Sequence, residues 1–234
     1  MRIIGLIGGM SWESSAEYYR MINEFVKEKL GGLHSARCLM YSVDFAEIEE
    51  LQHAGEWSQA TDLMIDAAKR LEKGGADCVV ICTNTMHKMA DEVQLAIKIP
   101  LIHIADSTAE EIGSAGLKTV GLLGTKFIME EDFYIRRLSK KFGLQVLIPD
   151  KPDREFVHGV IYDELCLGKI NQASREGFKK IIDRLRKKGA EGIILGCTEI
   201  PLLIKESDLK LPIFDTAKIH AKAAVDFALE DENS

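Results

Sequence analysis

The chain carries one segment twice. Gly75-Ala76-Asp77-Cys78-Val79-Val80-Ile81-Cys82-Thr83-Asn84-Thr85 matches Gly189-Ala190-Glu191-Gly192-Ile193-Ile194-Leu195-Gly196-Cys197-Thr198-Glu199 at a shift of 114 residues. That shift carries Thr83 onto Cys197 and Asn84 onto Thr198. Ile4-Gly5-Leu6-Ile7-Gly8 resembles Val120-Gly121-Leu122-Leu123-Gly124 at a shift of 116, so the halves differ by a small insertion. Ile99-Pro100-Leu101-Ile102 likewise resembles Leu211-Pro212-Ile213-Phe214. A repeat this long is a duplicated domain rather than a solenoid unit. We expect two pseudo-symmetric lobes, residues 1–110 with 212–234 packed back on them, and residues 115–210. Each lobe would present one proton-handling side chain to a site in the cleft between them.

Short apolar, β-branched runs alternate with longer amphipathic segments. Ile3–Ile7, Leu39–Val43, Cys78–Cys82, Leu101–Ile104, Thr119–Leu123, Val146–Ile148, Gly192–Leu195 and Ile213–Phe214 read as strands. Several are apolar throughout, as parallel strands buried on both faces are. Ser14–Glu28, Gln59–Lys73, Glu130–Lys141, Ser174–Lys188 and Ala217–Leu229 repeat apolar residues at helical spacing. This alternation predicts an α/β fold in which each lobe is a parallel sheet flanked by helices.

The 234 residues are 46% hydrophobic, enough to bury a full core, and the net charge of −7 argues against general nucleic-acid binding. No apolar stretch approaches a membrane span. Met1-Arg2 leads at once into Ile3–Ile7 and glycines, without a secretory pattern. The five cysteines are odd in number and lack zinc-like spacing. Reduced thiols, no metal and a cytoplasmic location are the expectation.

In a parallel sheet, loops at the strand carboxyl ends converge on the ligand. Five such loops stand out: Gly8-Gly9-Met10-Ser11, Asp44-Phe45, Thr83-Asn84-Thr85, Gly124-Thr125 and Cys197-Thr198-Glu199. Most offer small residues, hydroxyls and backbone N–H donors, which suit a carboxylate or another small anion. Cys197 ends a buried strand next to an expected helix N-terminus, a setting that lowers a thiol pKa. A small buried thiol is the bland alternative. Alternation along the strand turns Cys82 away from the face that Thr83 addresses. His87 reaches either the site or a neighbouring loop carbonyl, and Lys88 belongs on a solvated helix face. Gly5, Gly8 and Gly9 do not have dinucleotide-fingerprint spacing, and no phosphate-binding loop or Schiff-base lysine is recognisable.

Gly8-Gly9-Met10-Ser11-Trp12, Cys82-Thr83-Asn84-Thr85-Met86-His87 and Gly196-Cys197-Thr198-Glu199 resemble the signatures of the aspartate/glutamate racemase family. The wording is most similar to its bacterial L-aspartate/glutamate-specific or broad-specificity branch. The resemblance spans essentially the whole chain. It implies racemisation of a small amino acid without pyridoxal or any other cofactor, by a homodimer. In that family two cysteines flank the substrate α-carbon, one removing the proton and one returning it. By position, Cys197 is the second cysteine and Thr83 stands in place of the first. A hydroxyl is a poor base beside a thiol, whose free pKa is ~8.5. The resemblance therefore implies Cys197 as base on the L side and Thr83 as the opposing acid. It also implies that Met10, Gln52, Asn84, Thr85, Thr125 and Thr198 line the pocket. Some relatives hold a lysine near the position of Gly168, where this chain reads Leu165-Cys166-Leu167-Gly168-Lys169; strict dicarboxylate specificity does not follow.

The rival readings are hydantoin racemases, maleate isomerases and arylmalonate decarboxylases of similar architecture, and a non-catalytic amino-acid-binding protein. α-Proton exchange separates the last from the rest. A nucleotide-binding domain is a minor option, since phosphate fingerprints are missing.

Overall fold

The structure, a computed structural model, describes residues 1–230. It divides into two compact units, Met1–Ile104 with the chain from His220 on, and Ala105–Ile219.

The first unit opens with β1 (Ile4–Gly8), α1 (Trp12–Leu30), β2 (Cys38–Ser42), α2 (Phe45–Ala54) and α3 (Trp57–Lys73). It continues through β3 (Cys78–Ile81), a 3-10 turn at Thr85–Met89, α4 (Ala90–Ala96) and β4 (Leu101–Ile102). The strands form a parallel sheet in the order β2-β1-β3-β4, with Leu6 level with Val80. Its core joins Ile7, Ile48, Met64, Leu71, Val79, Ile81 and Met86. Ser11 begins α1 by accepting from the Ser14 N–H, and Asp44 begins α2 by accepting from the Ala46 N–H at 3.1 Å.

The second unit contains α5 (Ile104–Ser114, entered from the first unit), β5 (Thr119–Gly124), α6 (Lys126–Glu130), α7 (Asp132–Phe142) and β6 (Gln145–Leu147). Then come α8 (Lys151–Asp163), α9 (Gln172–Lys187), β7 (Gly192–Gly196), α10 (Ile200–Leu203), β8 (Ile213–Asp215) and α11 (Thr216–Leu229), whose later turns belong to the first unit. The order β6-β5-β7-β8 repeats that of the first sheet, again all parallel. A separate core joins Leu123, Val157, Phe178, Ile182, Leu185, Ile193 and Leu195.

The duplication extends to individual contacts. Asp77 accepts from the Ile3 N–H at 2.5 Å, and its repeat partner Glu191 accepts from the Lys118 and Thr119 N–H groups at 2.9 and 2.8 Å. Gly5 and Gly121 occupy matching places on β1 and β5. A Cβ at Gly5 would lie 2.8 Å from the Cys78 carbonyl and 3.3 Å from Leu71 Cβ. At Gly121 it would lie 2.8 Å from Ile193 Cδ1 and 3.0 Å from Leu185 Cδ1. At Gly5 an added side chain would press on the Cys78 carbonyl and Ala76, and at Gly121 on the Ile193 and Leu185 side chains.

The expectations differ from the structure in several places. β8 pairs with β7, so the second unit runs to Ile219, past the expected limit of 210, and it begins at Ala105 rather than 115. The expected return segment 212–234 also includes residues 231–234, which lie outside those described. The helix read over Glu130–Lys141 begins two residues later, at Asp132, because Glu131 is extended between α6 and α7. Asp44-Phe45 is a helix start, not an open loop.

In the first unit, α1 and α11 share a buried polar contact. The Tyr18 hydroxyl donates to His220 Nδ1 at 2.9 Å, and His220 Nε2–H donates to the Ile102 carbonyl at 2.7 Å. Burial pushes the His220 imidazole down to about 4. A base with a lowered folded-state pKa contributes stability that is complete above the unfolded value of ~6.5 and is lost as pH falls towards the folded value. We predict a loss of about 3 kcal/mol between pH 7 and pH 4 from this group. Urea denaturation should show that increment missing in His220→Gln. Gly5→Ala and Gly121→Ala should each cost about 1–3 kcal/mol through overpacking, read as lower urea midpoints.

Candidate active site

In the first unit, β1 and β3 are adjacent and parallel, so their following loops share one rim. The β1 loop is bound internally. The Gly9 N–H donates to Ser15 Oγ at 2.8 Å, and that hydroxyl donates to the Ser11 carbonyl at 2.9 Å. Gly9 has φ +94, and a Cβ there would collide with the Val43 carbonyl, so only glycine allows β1 and the chain after β2 to approach here. Met10, expected in the pocket lining, is 5% exposed and joins the hydrophobic core of its unit.

The β3 loop carries Thr83, half-buried, then Asn84 and Thr85, both buried. Gln52 on α2 is buried too, its Nε2 3.1 Å from Met86 Sδ, which ties α2 to the turn that follows Thr83. Cys82 beside Thr83 is almost wholly buried, and burial pushes its thiol up. His87 lies beneath this loop. Its Nδ1 is 2.8 Å from the Thr83 carbonyl, and its Nε2 is 3.2 Å from the Ile104 amide nitrogen. Lys88, read as solvated, is half-buried with Nζ 3.7 Å from the Trp57 ring centroid.

In the second unit the pairing Gly124↔Gly196 makes Thr125 and Cys197 neighbours at the ends of β5 and β7. Thr125 is 8% exposed, and its Oγ1 is buried with no hydrogen-bond partner in the protein. Cys197 is also 8% exposed. Its Sγ is 3.0 Å from Glu199 Oε2, which also accepts from Thr198 Oγ1 at 2.6 Å.

The thiol behaves opposite to the expectation drawn from its strand-end position. Burial first, then the charge of Glu199 and the hydrogen bond to it, raise the Cys197 pKa well above the usual thiol value. The Glu199 backbone N–H pulls the other way and is outweighed. Glu199 is thus the residue that motif reading passed over. The available signal was the repeat, which sets it at the place of Thr85.

The structure thus groups Thr83, Asn84, Thr85 and Gln52 in one unit, and Thr125, Cys197, Thr198 and Glu199 in the other. Among the described residues no cluster of His, Cys, Asp or Glu has the form of a metal site. No described helix is long and apolar enough to cross a membrane.

Known proteins of the same build give this arrangement a context. The family described as Asp/Glu/Hydantoin racemase matches residues 7–224. A crystal structure from Yersinia pestis, proposed to be an Asp/Glu racemase, is 53% identical, with a TM-score of 0.94 over 98% of this chain and 100% of that one. An aspartate racemase homologue from Pyrococcus horikoshii OT3 is 37% identical, with a TM-score of 0.88 over 98% of this chain and 100% of its own. The broad specificity amino-acid racemase RacX of Bacillus subtilis (strain 168) is 24% identical over 95% of this chain and 96% of its own length. With a match over most of its length, the chain belongs to the Asp/Glu/Hydantoin racemase family.

Proposed function

We propose that this amino-acid racemase acts on aspartate and glutamate, with Cys197 as the base on the L side and Thr83 as the acid on the other face. The observation that carries this reading is the Cys197–Glu199 contact of 3.0 Å. A buried thiol held protonated needs a local acceptor before it can act as a base, and the carboxylate is in place to take its proton. The resulting thiolate removes the substrate α-proton and becomes a thiol again. The carbanion then takes a proton on its opposite face from the Thr83 hydroxyl; water reprotonates Thr83 and takes up the proton left on Glu199, so both groups return to their starting states. Thr83 is a weak acid that can still protonate a carbanion but a poor base at neutral pH, so removal of the proton from the D side is the slower half-reaction.

Three features support an anionic ligand. The Thr125 hydroxyl is buried without a protein partner, a state that costs about 1–3 kcal/mol unless a ligand oxygen relieves it. The Thr83-Asn84-Thr85 loop offers amides and hydroxyls at a strand end. The named activities of the relatives, aspartate racemase homologue and broad specificity amino-acid racemase, are of the same class. Use of the enzyme as a homodimer in the cytoplasm belongs to the same proposal.

The test is α-proton exchange in D₂O followed by NMR with both enantiomers of aspartate and glutamate. Cys197→Ala should abolish exchange of the L substrates. Thr83→Ala should keep L-side exchange and lose inversion. The ratio of exchange to inversion is the informative quantity, because kcat/KM for the two enantiomers is tied by an equilibrium constant of one. No exchange with any of the four, in folded protein, would overturn the assignment to these substrates.

Glu199→Gln separates the two effects of the carboxylate. Removing its charge should lower the Cys197 pKa, seen as faster alkylation of the Cys197 peptide at neutral pH by mass spectrometry. Removing the proton acceptor should still slow L-side exchange by about 10²-fold or more. Unchanged exchange would exclude Glu199 from the proton path.

A further inference from the structure

Three imidazoles are packed together beneath the Thr83 loop. His87, His103 and His220 are 3%, 7% and 0% exposed. The His87 ring centroid is 4.7 Å from that of His103 and 5.4 Å from that of His220. Tyr18 closes the cluster through its hydrogen bond to His220.

The hydrogen bonds of His87 specify more than burial. A carbonyl only accepts and an amide N–H only donates. At 2.8 Å from the Thr83 carbonyl, Nδ1 must carry the proton; at 3.2 Å from the Ile104 N–H, Nε2 must not. Both contacts hold only in the neutral Nδ1–H tautomer. The ring therefore joins the segment after β3 to the segment after β4, each through a backbone atom.

We propose that His87 is a positioning residue for Thr83: its Nδ1–H holds the Thr83 carbonyl, while Nε2 braces the ring against the Ile104 N–H. The peptide bond is planar, so fixing that carbonyl also fixes the Asn84 N–H, which points from the opposite edge of the same peptide. The direction of the Thr83 side chain follows from the same restraint, since its Cα is bonded to the held carbonyl carbon. His87 touches no reacting atom. It acts through Thr83, and the assignment rests on the racemase reading of that residue.

Two substitutions divide the ring's two contacts. His87→Asn places an amide donor near the position of Nδ1 and leaves the Ile104 N–H without its acceptor. His87→Gln places an amide oxygen near the position of Nε2 and leaves the Thr83 carbonyl without its donor. At saturating L substrate, His87→Gln should lower inversion relative to α-proton exchange by ~10-fold or more, because displacement of about 1 Å is enough to spoil a proton transfer. His87→Asn should keep that ratio within about threefold of wild type. A purely structural role would lower exchange and inversion together, and equally in both variants; that result, or an unchanged ratio in His87→Gln, would overturn the proposal.

The wild-type protein supplies a second measurement that does not depend on the variants folding. ¹⁵N-labelled histidine NMR at pH 7 should show His87 as the Nδ1–H tautomer. An Nε2–H tautomer or a charged ring would overturn the proposal. The tautomer is read without substrate, so wild-type protein inactive on all four amino acids would refute the function while leaving the grip of His87 on Thr83 separately decided.

Discussion

Parallel pairing at the centre of each sheet obliges both strands to end on the same side. In this chain β1 pairs with β3 and β5 pairs with β7, and both pairs are broken off by small residues. Everything of chemical interest follows from that constraint. Thr83 stands one residue beyond Cys82, whose N–H still bonds to the Ile7 carbonyl at 2.9 Å, and Cys197 stands one residue beyond the Gly124–Gly196 pair. The glycines at Gly5 and Gly121 leave the space taken by the Cys78 carbonyl and by the Ile193 and Leu185 side chains beside these strands. A strand-end residue then has a rigid backbone on one side and a loop of its own choosing on the other.

The two units use this scaffold to keep ionisable groups neutral by different means. In the first, the two hydrogen bonds of His87 demand an uncharged ring, and burial pushes the His220 imidazole down to about 4. In the second, burial and a neighbouring carboxylate retain the proton on Cys197. A thiol stored in this way is not a ready nucleophile; it becomes a base only when its proton has somewhere to go. Held protonated, the thiol also reacts slowly with passing electrophiles.

Much of the architecture was legible in the chain because the duplication doubles every signal. Ile4–Gly8 and Thr119–Gly124 differ in sequence, yet their apolar runs and glycines recur in register, and the same holds for β3 and β7. Two helices absent from the expected set, α2 and α8, have local causes. Pro152 reads as a breaker, but it occupies the first turn of α8, where a lost N–H costs nothing. In α2, Asp44 and the glycine at Gly55 look like loop residues, whereas they are its caps. The sign of the Cys197 shift was hidden for a different reason. Proximity to a helix start is visible in sequence, but the burial that dominates the shift comes from tertiary packing, and the return of the Glu199 side chain onto the sulfur is a rotamer choice. The same limit applies to His87, whose spacing from Thr83 was plain and whose second partner, Ile104, lies 17 residues on.

Of the five thiols, the one most open to solvent is not the one proposed to do chemistry. Cys166 is exposed on the 3-10 turn Leu165–Leu167, while Cys78, Cys82 and Cys197 are buried and Cys38 is half-buried. Electrophilic inhibitors and air oxidation will therefore sample Cys166 first. An adduct there would be counted as a covalent hit in any screen scored by mass alone, whether or not Cys197 had reacted. A selective inhibitor of this chain would have to reach a sulfur that is both sheltered and protonated, which favours compact, strongly bound substrate mimics over reactive warheads.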